Sequence, residues 1–302
     1  MLYRQIVDQV HQVISSTVME ELFSHLFNQF KRGNVKLWGQ NKGRGFVRKC
    51  IYVAFYRDIK GTSYNQLASE CKSWMQLPGP SISHNTKSIR RVLHDYFLNQ
   101  MSTGTVGEWD RRAKKINMRE DFRDVNLWID STDFPLVGKR SSSTSNLFWS
   151  YKLNKLGLRF MAIIDGKGEI RFLSPGYTPK LYDGHWLEMN RRLLEEKFAG
   201  STIIGDTHFE KGEHLFKNLS FKTPIPESRA KKRRADGVEV PQHNQATQSY
   251  NNEHKRIRSR VELPFARLDQ MFKTLSEPFN EGEEQLEYLV MIGCGCLNKM
   301  MQ

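Results

Sequence analysis

The chain has 302 residues and a net charge of +13, from 46 basic and 33 acidic residues. Hydrophobic residues make up 38% and aromatic residues 11%, enough for a packed core, which excludes disorder throughout. No stretch of about 18 apolar residues is present and the first residues do not read as a secretory signal, so no membrane span is expected; the cationic excess suits a nucleic-acid partner, whose neutralised phosphates release counterions, or a merely basic soluble protein.

Ile6, Val10, Val13, Ile14, Val18, Leu22, Leu26 and Phe30 recur at intervals of three and four. They predict one amphipathic helix over residues 2–30, its stripe either core or a dimerising face. Glycines among basic residues at 33–45 predict a loop, and a second helix follows at about Val47–Ile59. Ser63 then caps a short helix carrying Leu67 and Ala68, Leu77-Pro78-Gly79-Pro80 is a break, and Ser81 or Ser83 opens another helix. On that helix Ile89, Val92, Leu93 and Phe97 share a face, with Lys87, Arg90 and Arg91 mostly off it. Residues 61–97 are thus a helix-turn-helix, with those three cations as DNA contacts, or an ordinary helical hairpin with a solvated basic face. Residues 101–119 read as a polar loop and place a domain boundary, giving a helical domain over 1–118 and a second domain over 119–302.

In the second domain, Val125–Asp130 reads as a strand. Gly157–Asp165 and Glu169–Leu173 read as strands joined by the turn Asp165-Gly166-Lys167-Gly168. Trp186–Phe198 is a predicted helix and Ser201–Asp206 a short buried strand. Residues 225–255 are polar and basic, and Lys231–Arg234 is a solvated loop, an import signal or a DNA contact. Helical patterns run from about Gln248 to Leu275 and over Leu286–Met300. Three strands, helix, strand and helices make an α/β layer structure. Cys50, Cys71, Cys294 and Cys296 form no C-x-x-C pair and read as reduced thiols of an intracellular protein.

Two strands end in acids: Leu127-Trp-Ile leads into Asp130, and Ile203-Ile-Gly into Asp206. An unpaired buried carboxylate is costly, so such acids belong at a strand end facing a cleft, where open α/β sheets bind ligands. If the two strands are parallel neighbours, the acids meet. Glu262 sits beside the Val261, Phe265, Leu268 stripe of a helix, with Arg258 four residues earlier on the same face to orient the acid or hold a phosphate. Three converging carboxylates call for hard cations, Mg²⁺ or Mn²⁺, and two such ions suit in-line attack on a phosphodiester. The plain alternative is that these acids are caps or turn residues. His208, two residues after Asp206, either assists water or phosphate or only hydrogen-bonds locally, and Asp183 starts the Trp186–Phe198 helix as a cap. Asp133 lies beyond the strand and is secondary.

The second half resembles the DDE endonucleases of the Harbinger/PIF and IS5 transposase group. Trp128-Ile-Asp130-Ser-Thr-Asp resembles the family's first-Asp strand, and Tyr151-Lys152 with the strand to Asp165-Gly166 its "YKG…QVVVDxxG" stretch. Pro175–Asp183 resembles "PGSxHD", Ile203–Phe209 resembles "ILGDxGY", Pro224-Ile-Pro226 its "TP" segment, and Asn251–Arg258 with Val261–Phe265 resembles "FNxxHSxxRxxVExxFGxLK". His208-Phe209 replaces the usual Gly-Tyr, and Asp269 stands near the position of the usual Lys. The resemblance implies an RNase H-like mixed sheet flanked by helices, preceded by an all-α helix-turn-helix domain. It implies Asp130, Asp206 and Glu262 as catalytic metal ligands, Asp183 beside them, and divalent-metal cleavage of DNA. A domesticated DNA-binding protein that keeps the fold without cutting is the alternative. Action as a homodimer or with an accessory DNA-binding protein is compatible with it, as is a nuclear location in a eukaryote or a cytoplasmic one otherwise.

Overall fold

The computed structural model describes residues 1–39, 43–101, 104–116, 118–138, 147–225 and 245–302. Lys231–Arg234 and Pro226 lie outside them. The N-terminal stripe forms two helices rather than one, α1 (Tyr3–His11) and α2 (Ser16–Lys31). The reason is local: Ser15 takes extended dihedrals and its Oγ accepts the Val18 N–H, starting a new helix. Ile6, Val10, Ile14, Val18, Leu22 and Leu26 are all buried, so the stripe is core. Next come α3 (Arg44–Lys60), α4 (Tyr64–Cys71) and α5 (Gly79–Leu98). Ser63 caps α4 through the Gln66 N–H, whereas α5 begins at Gly79, earlier than either serine, because Pro80 fits a first turn. Residues 106–113, expected as loop, form α6 (Val106–Ala113), started by a reciprocal Thr105–Glu108 capping box.

The sheet strands are β1 (Val125–Pro135), β2 (Trp149–Ser150), β3 (Lys155–Asp165), β4 (Ile170–Leu173), β5 (Thr202–Ile204) and β6 (Ser220–Lys222). Their order is β2-β3-β1-β5-β6, with β4 also on β3. β1 is antiparallel to β3 and parallel to β5, and β5 is parallel to β6. This mixed sheet flanked by helices agrees with the fold the resemblance implies. The predicted helix at 186–198 is two, α7 (Asp183–Met189) and α8 (Arg191–Phe198), broken at Asn190. Then follow α9 (Gly212–Leu215), α10 (Gln245–Arg258), α11 (Glu262–Met271), α12 (Lys273–Ser276) and α13 (Glu283–Met301).

Side chains alternate across a strand, and β1 shows both faces buried. Leu127 and Ile129 join Ile203, Trp186, Leu187 and Leu194 on the α7–α8 side. Trp128 and Phe134 join Ile204, Phe160 and the helices α1–α5, α11 and α13 in one continuous core. All four cysteines are buried and unbridged, and burial pushes the Cys50 thiol up to about 12. Among the described residues no helix is long and apolar enough to cross a membrane.

Within that core sits an ionic cluster. Arg57 meets Asp58 at 3.0 Å and Glu281 at 2.5 Å; Arg90 meets Asp58, and Glu281 at 3.1 Å. Arg90 is 1% exposed, so the reading of it as a DNA contact is corrected: its guanidinium is spent neutralising two buried acids. Lys87 is half-buried and Arg91 exposed. Arg90→Ala is expected to lower the free energy of urea unfolding by about 3–5 kcal/mol, because it strands buried carboxylates. Arg91→Ala should stay within about 0.5 kcal/mol. Equal effects would contradict the assignment.

Candidate active site

The register of the parallel pair builds the site. Trp128 lies opposite Ile204, so Asp130 and Asp206, each two residues further, fall at equivalent places with the same parity. β5 ends at Ile204, while β1 continues to Pro135 on β3 alone. The expectation that β1 stops at Asp130 is therefore corrected; the cleft opens because its neighbour stops. Gly205 permits the approach: a Cβ there would lie 2.7 Å from the Phe209 ring and 3.0 Å from Ile129 Cγ2.

Trp128 is fully buried and its indole N–H donates to the Ile257 carbonyl at 2.9 Å, which docks the end of α10 beside β1. The next residue, Arg258, donates from Nη1 to Asp130 Oδ2 and from Nη2 to Glu262 Oε1, each at 2.9 Å. Asp130 has a side chain 14% exposed, while that of Glu262 is 60% exposed. Asp130 Oδ1 also accepts the Ser131 N–H at 2.7 Å. Burial raises the Asp130 carboxyl above its ordinary range and the charge of Asp206 adds to this, against Lys152 and Arg258, which lower it. Asp206 Oδ1 accepts the His208 N–H at 2.8 Å, so this acid caps the short turn Thr207–Phe209.

The odd-numbered residues of β1 face the other way. Asp133 lies within the strand, not beyond it, and is bidentate to Arg159 at 2.6 and 3.0 Å. Asp183 does not cap α7; Tyr182 holds the cap position and Asp183 turns inward, 3% exposed. Its Oδ2 accepts from Ser131 Oγ at 3.2 Å and lies 3.9 Å from His208 Nδ1. Its Oδ1 has no hydrogen bond among the described residues, with Arg159 Nη1 3.5 Å away. Burial raises the Asp183 carboxyl, and Asp206 raises it further.

Lys152, quoted only within a motif, joins this cluster: Nζ donates to the Ser131 carbonyl at 2.8 Å, and its charge lowers both raised acids. A set on α10 was also missed. Asn251 pairs twice with the Ile225 backbone at 2.9 Å, and His254 Nε2 lies 3.3 Å from the Lys222 carbonyl. Their signal was available, since Asn251, His254 and Arg258 recur at helical spacing.

The donor chemistry fits a hard divalent cation in part. Asp130 and Asp206 are oxygen donors at one place, and Asp183 Oδ1 is buried without a hydrogen bond among the described residues, 3.5 Å from Arg159. Glu262 instead faces Arg258, and among the described residues no three Asp, Glu, His or Cys side chains stand together as a metal-ligand set.

The sequence profile described as DDE superfamily endonuclease matches residues 129–298, which contain these acids and Arg258. The chain belongs to that family. No curated protein and no solved structure matches the chain significantly.

The electrostatics give a test in chelator, read by NMR of the carboxyl carbons. Asp130 should titrate above the ordinary carboxylate range, lower in Asp206→Asn and higher in Arg258→Gln. Because its folded value is raised, the contribution of Asp130 to stability should grow as pH falls through that value. An Asp130 midpoint indifferent to both substitutions would contradict the geometry.

Proposed function

We propose that the protein is a divalent-metal-dependent DNA endonuclease of the transposase type. The observation that carries this reading is the register of β1 and β5, which sets Asp130 and Asp206 at matching places beside a cation-bearing helix end. Family membership and the net charge of +13 support DNA as the substrate.

In this reading Asp130 and Asp206 hold Mg²⁺ or Mn²⁺, and Glu262 completes the set once Arg258 releases it. A bound cation supplies neutralisation of the acids and of charge developing on the phosphate, and a lowered pKa for an attacking water. Water or a 3′-hydroxyl attacks the phosphorus in line, one P–O bond forms as the opposite one breaks, and strand transfer follows where a 3′-hydroxyl attacks. Arg258, freed from Glu262, is placed to hold a phosphate oxygen, and Lys152 holds Ser131 and balances Asp130 and Asp183. Asp183 fixes Ser131 next to Asp130. His208, at the cleft rim, is available to a water or phosphate. The helices before the sheet, including α4 and α5 in the helix-turn-helix reading, bind DNA, with Lys87 and Arg91 as contacts.

One observation favours a second reading. Arg258 already neutralises Asp130 and Glu262, an arrangement that suits a domesticated DNA-binding protein that no longer cuts. Incubating purified protein with supercoiled DNA and Mn²⁺ separates the two. The first reading expects metal-dependent nicking that vanishes in Asp130→Ala and Asp206→Ala and drops about 10- to 100-fold in Asp183→Asn, a supporting group. Nicking equal in all variants refutes it, and DNA binding without nicking selects the second.

A further inference from the structure

Trp38 is 51% exposed, an unusual cost for the largest apolar side chain. It is nevertheless held firmly. Asn85 of α5, itself 2% exposed, accepts the Trp38 N–H at 2.7 Å and donates to the Trp38 carbonyl at 2.9 Å. The indole stacks on His84, with ring centroids 4.1 Å apart and planes 16° from parallel. His84 Nε2 is buried without a hydrogen-bond partner among the described residues, so the imidazole serves there as a flat support. The flanking segment alternates: Val35 and Leu37 are buried against the core while Lys36 and Trp38 face out. A ring backed by an imidazole and half exposed is a surface made for another flat ring.

The stretches of chain that carry Trp38 and its support are cationic. Residues 22–57 contain no Asp or Glu but include Lys31, Arg32, Lys36, Arg44, Arg48 and Lys49. Residues 71–94, which include most of α5, contain no acid either. On α5, Lys87 and Arg91 follow His84 at helical spacing on the same face, and the first acid, Asp95, comes one turn later. Cations beside an exposed aromatic ring match a polynucleotide strand, with phosphates on the cations and a base on the ring.

We infer that Trp38, backed by His84, stacks an unpaired nucleobase of DNA, with Lys36, Lys87 and Arg91 holding the adjacent phosphates. This site is apart from the carboxylate cleft and rests on the reading that DNA is the partner. It selects single-stranded or locally opened DNA over intact duplex, since only an unstacked base presents its face.

The test uses the full chain in EDTA, so that cleavage plays no part. Binding of a labelled oligothymidylate and of a fully paired duplex is measured by fluorescence anisotropy. Trp38→Leu should weaken oligothymidylate binding about tenfold, Trp38→Phe should keep most of it, and duplex binding should change little. Lys87→Gln combined with Arg91→Gln should reduce the salt dependence by about one to two phosphate contacts. On the unaltered protein, photo-crosslinking with a bromouracil-substituted strand should mark the peptide holding Trp38, whatever the variants do to folding. Unchanged binding by Trp38→Leu, equal loss on both probes in Leu and Phe variants, crosslinks only elsewhere, or a change in self-association without a change in DNA binding would each overturn the inference. Trp38-dependent binding by a chain that never nicks DNA would leave it standing while refuting the nuclease reading.

Discussion

Asp130 and Asp206 are brought to one place by a parallel strand pair, and two carboxylates there repel each other in a partly dry cleft. Much of the surrounding structure answers that repulsion with positive charge. Arg258 bonds Asp130 from one face of the sheet, Lys152 lies under Ser131, and Arg159 stands behind Asp133 and Asp183 on the other face. Helix α10 carries Arg258, and its placement rests on the buried Trp128 indole and on the Asn251 and His254 contacts to residues 222–225. Carboxylates held this close need a scaffold that does not yield, and here the scaffold is the fully buried core of β1, β3 and β5.

The same logic separates the two kinds of acid in this chain. Asp58 and Glu281 are as buried as Asp183, yet each meets two guanidiniums, so they bind α3 and α5 to the segment before α13. Asp183 meets one guanidinium among the described residues, that of Arg159 at 3.5 Å. Doubly paired acids tie the helices together, and the acid with a single guanidinium stands beside the cleft.

Much of this could be read in the chain itself. The interval between Asp130 and Asp206 equals that between Trp128 and Ile204, so the apolar run before each acid carried the strand register. Hidden instead were features set by single side chains or by tertiary partners. Ser15 and Asn190 divide helices whose apolar spacing runs straight through them. Strands β2 and β6, two and three residues long, are too short for any period to register. Arg90 looked like a surface cation because its partners Asp58 and Glu281 lie far away in sequence. The inward turn of Asp183 was masked for the opposite reason, since an acid at a helix start is ordinarily a cap.

The central claim is that Asp130 and Asp206 together form a site for a divalent cation. Thermal unfolding with and without Mn²⁺ tests it without reference to catalysis, because a ligand bound only by the folded state raises the unfolding temperature. The account predicts a Mn²⁺-dependent rise in the unaltered protein that Asp130→Asn and Asp206→Asn each abolish. No rise, or the same rise in both variants, would contradict it.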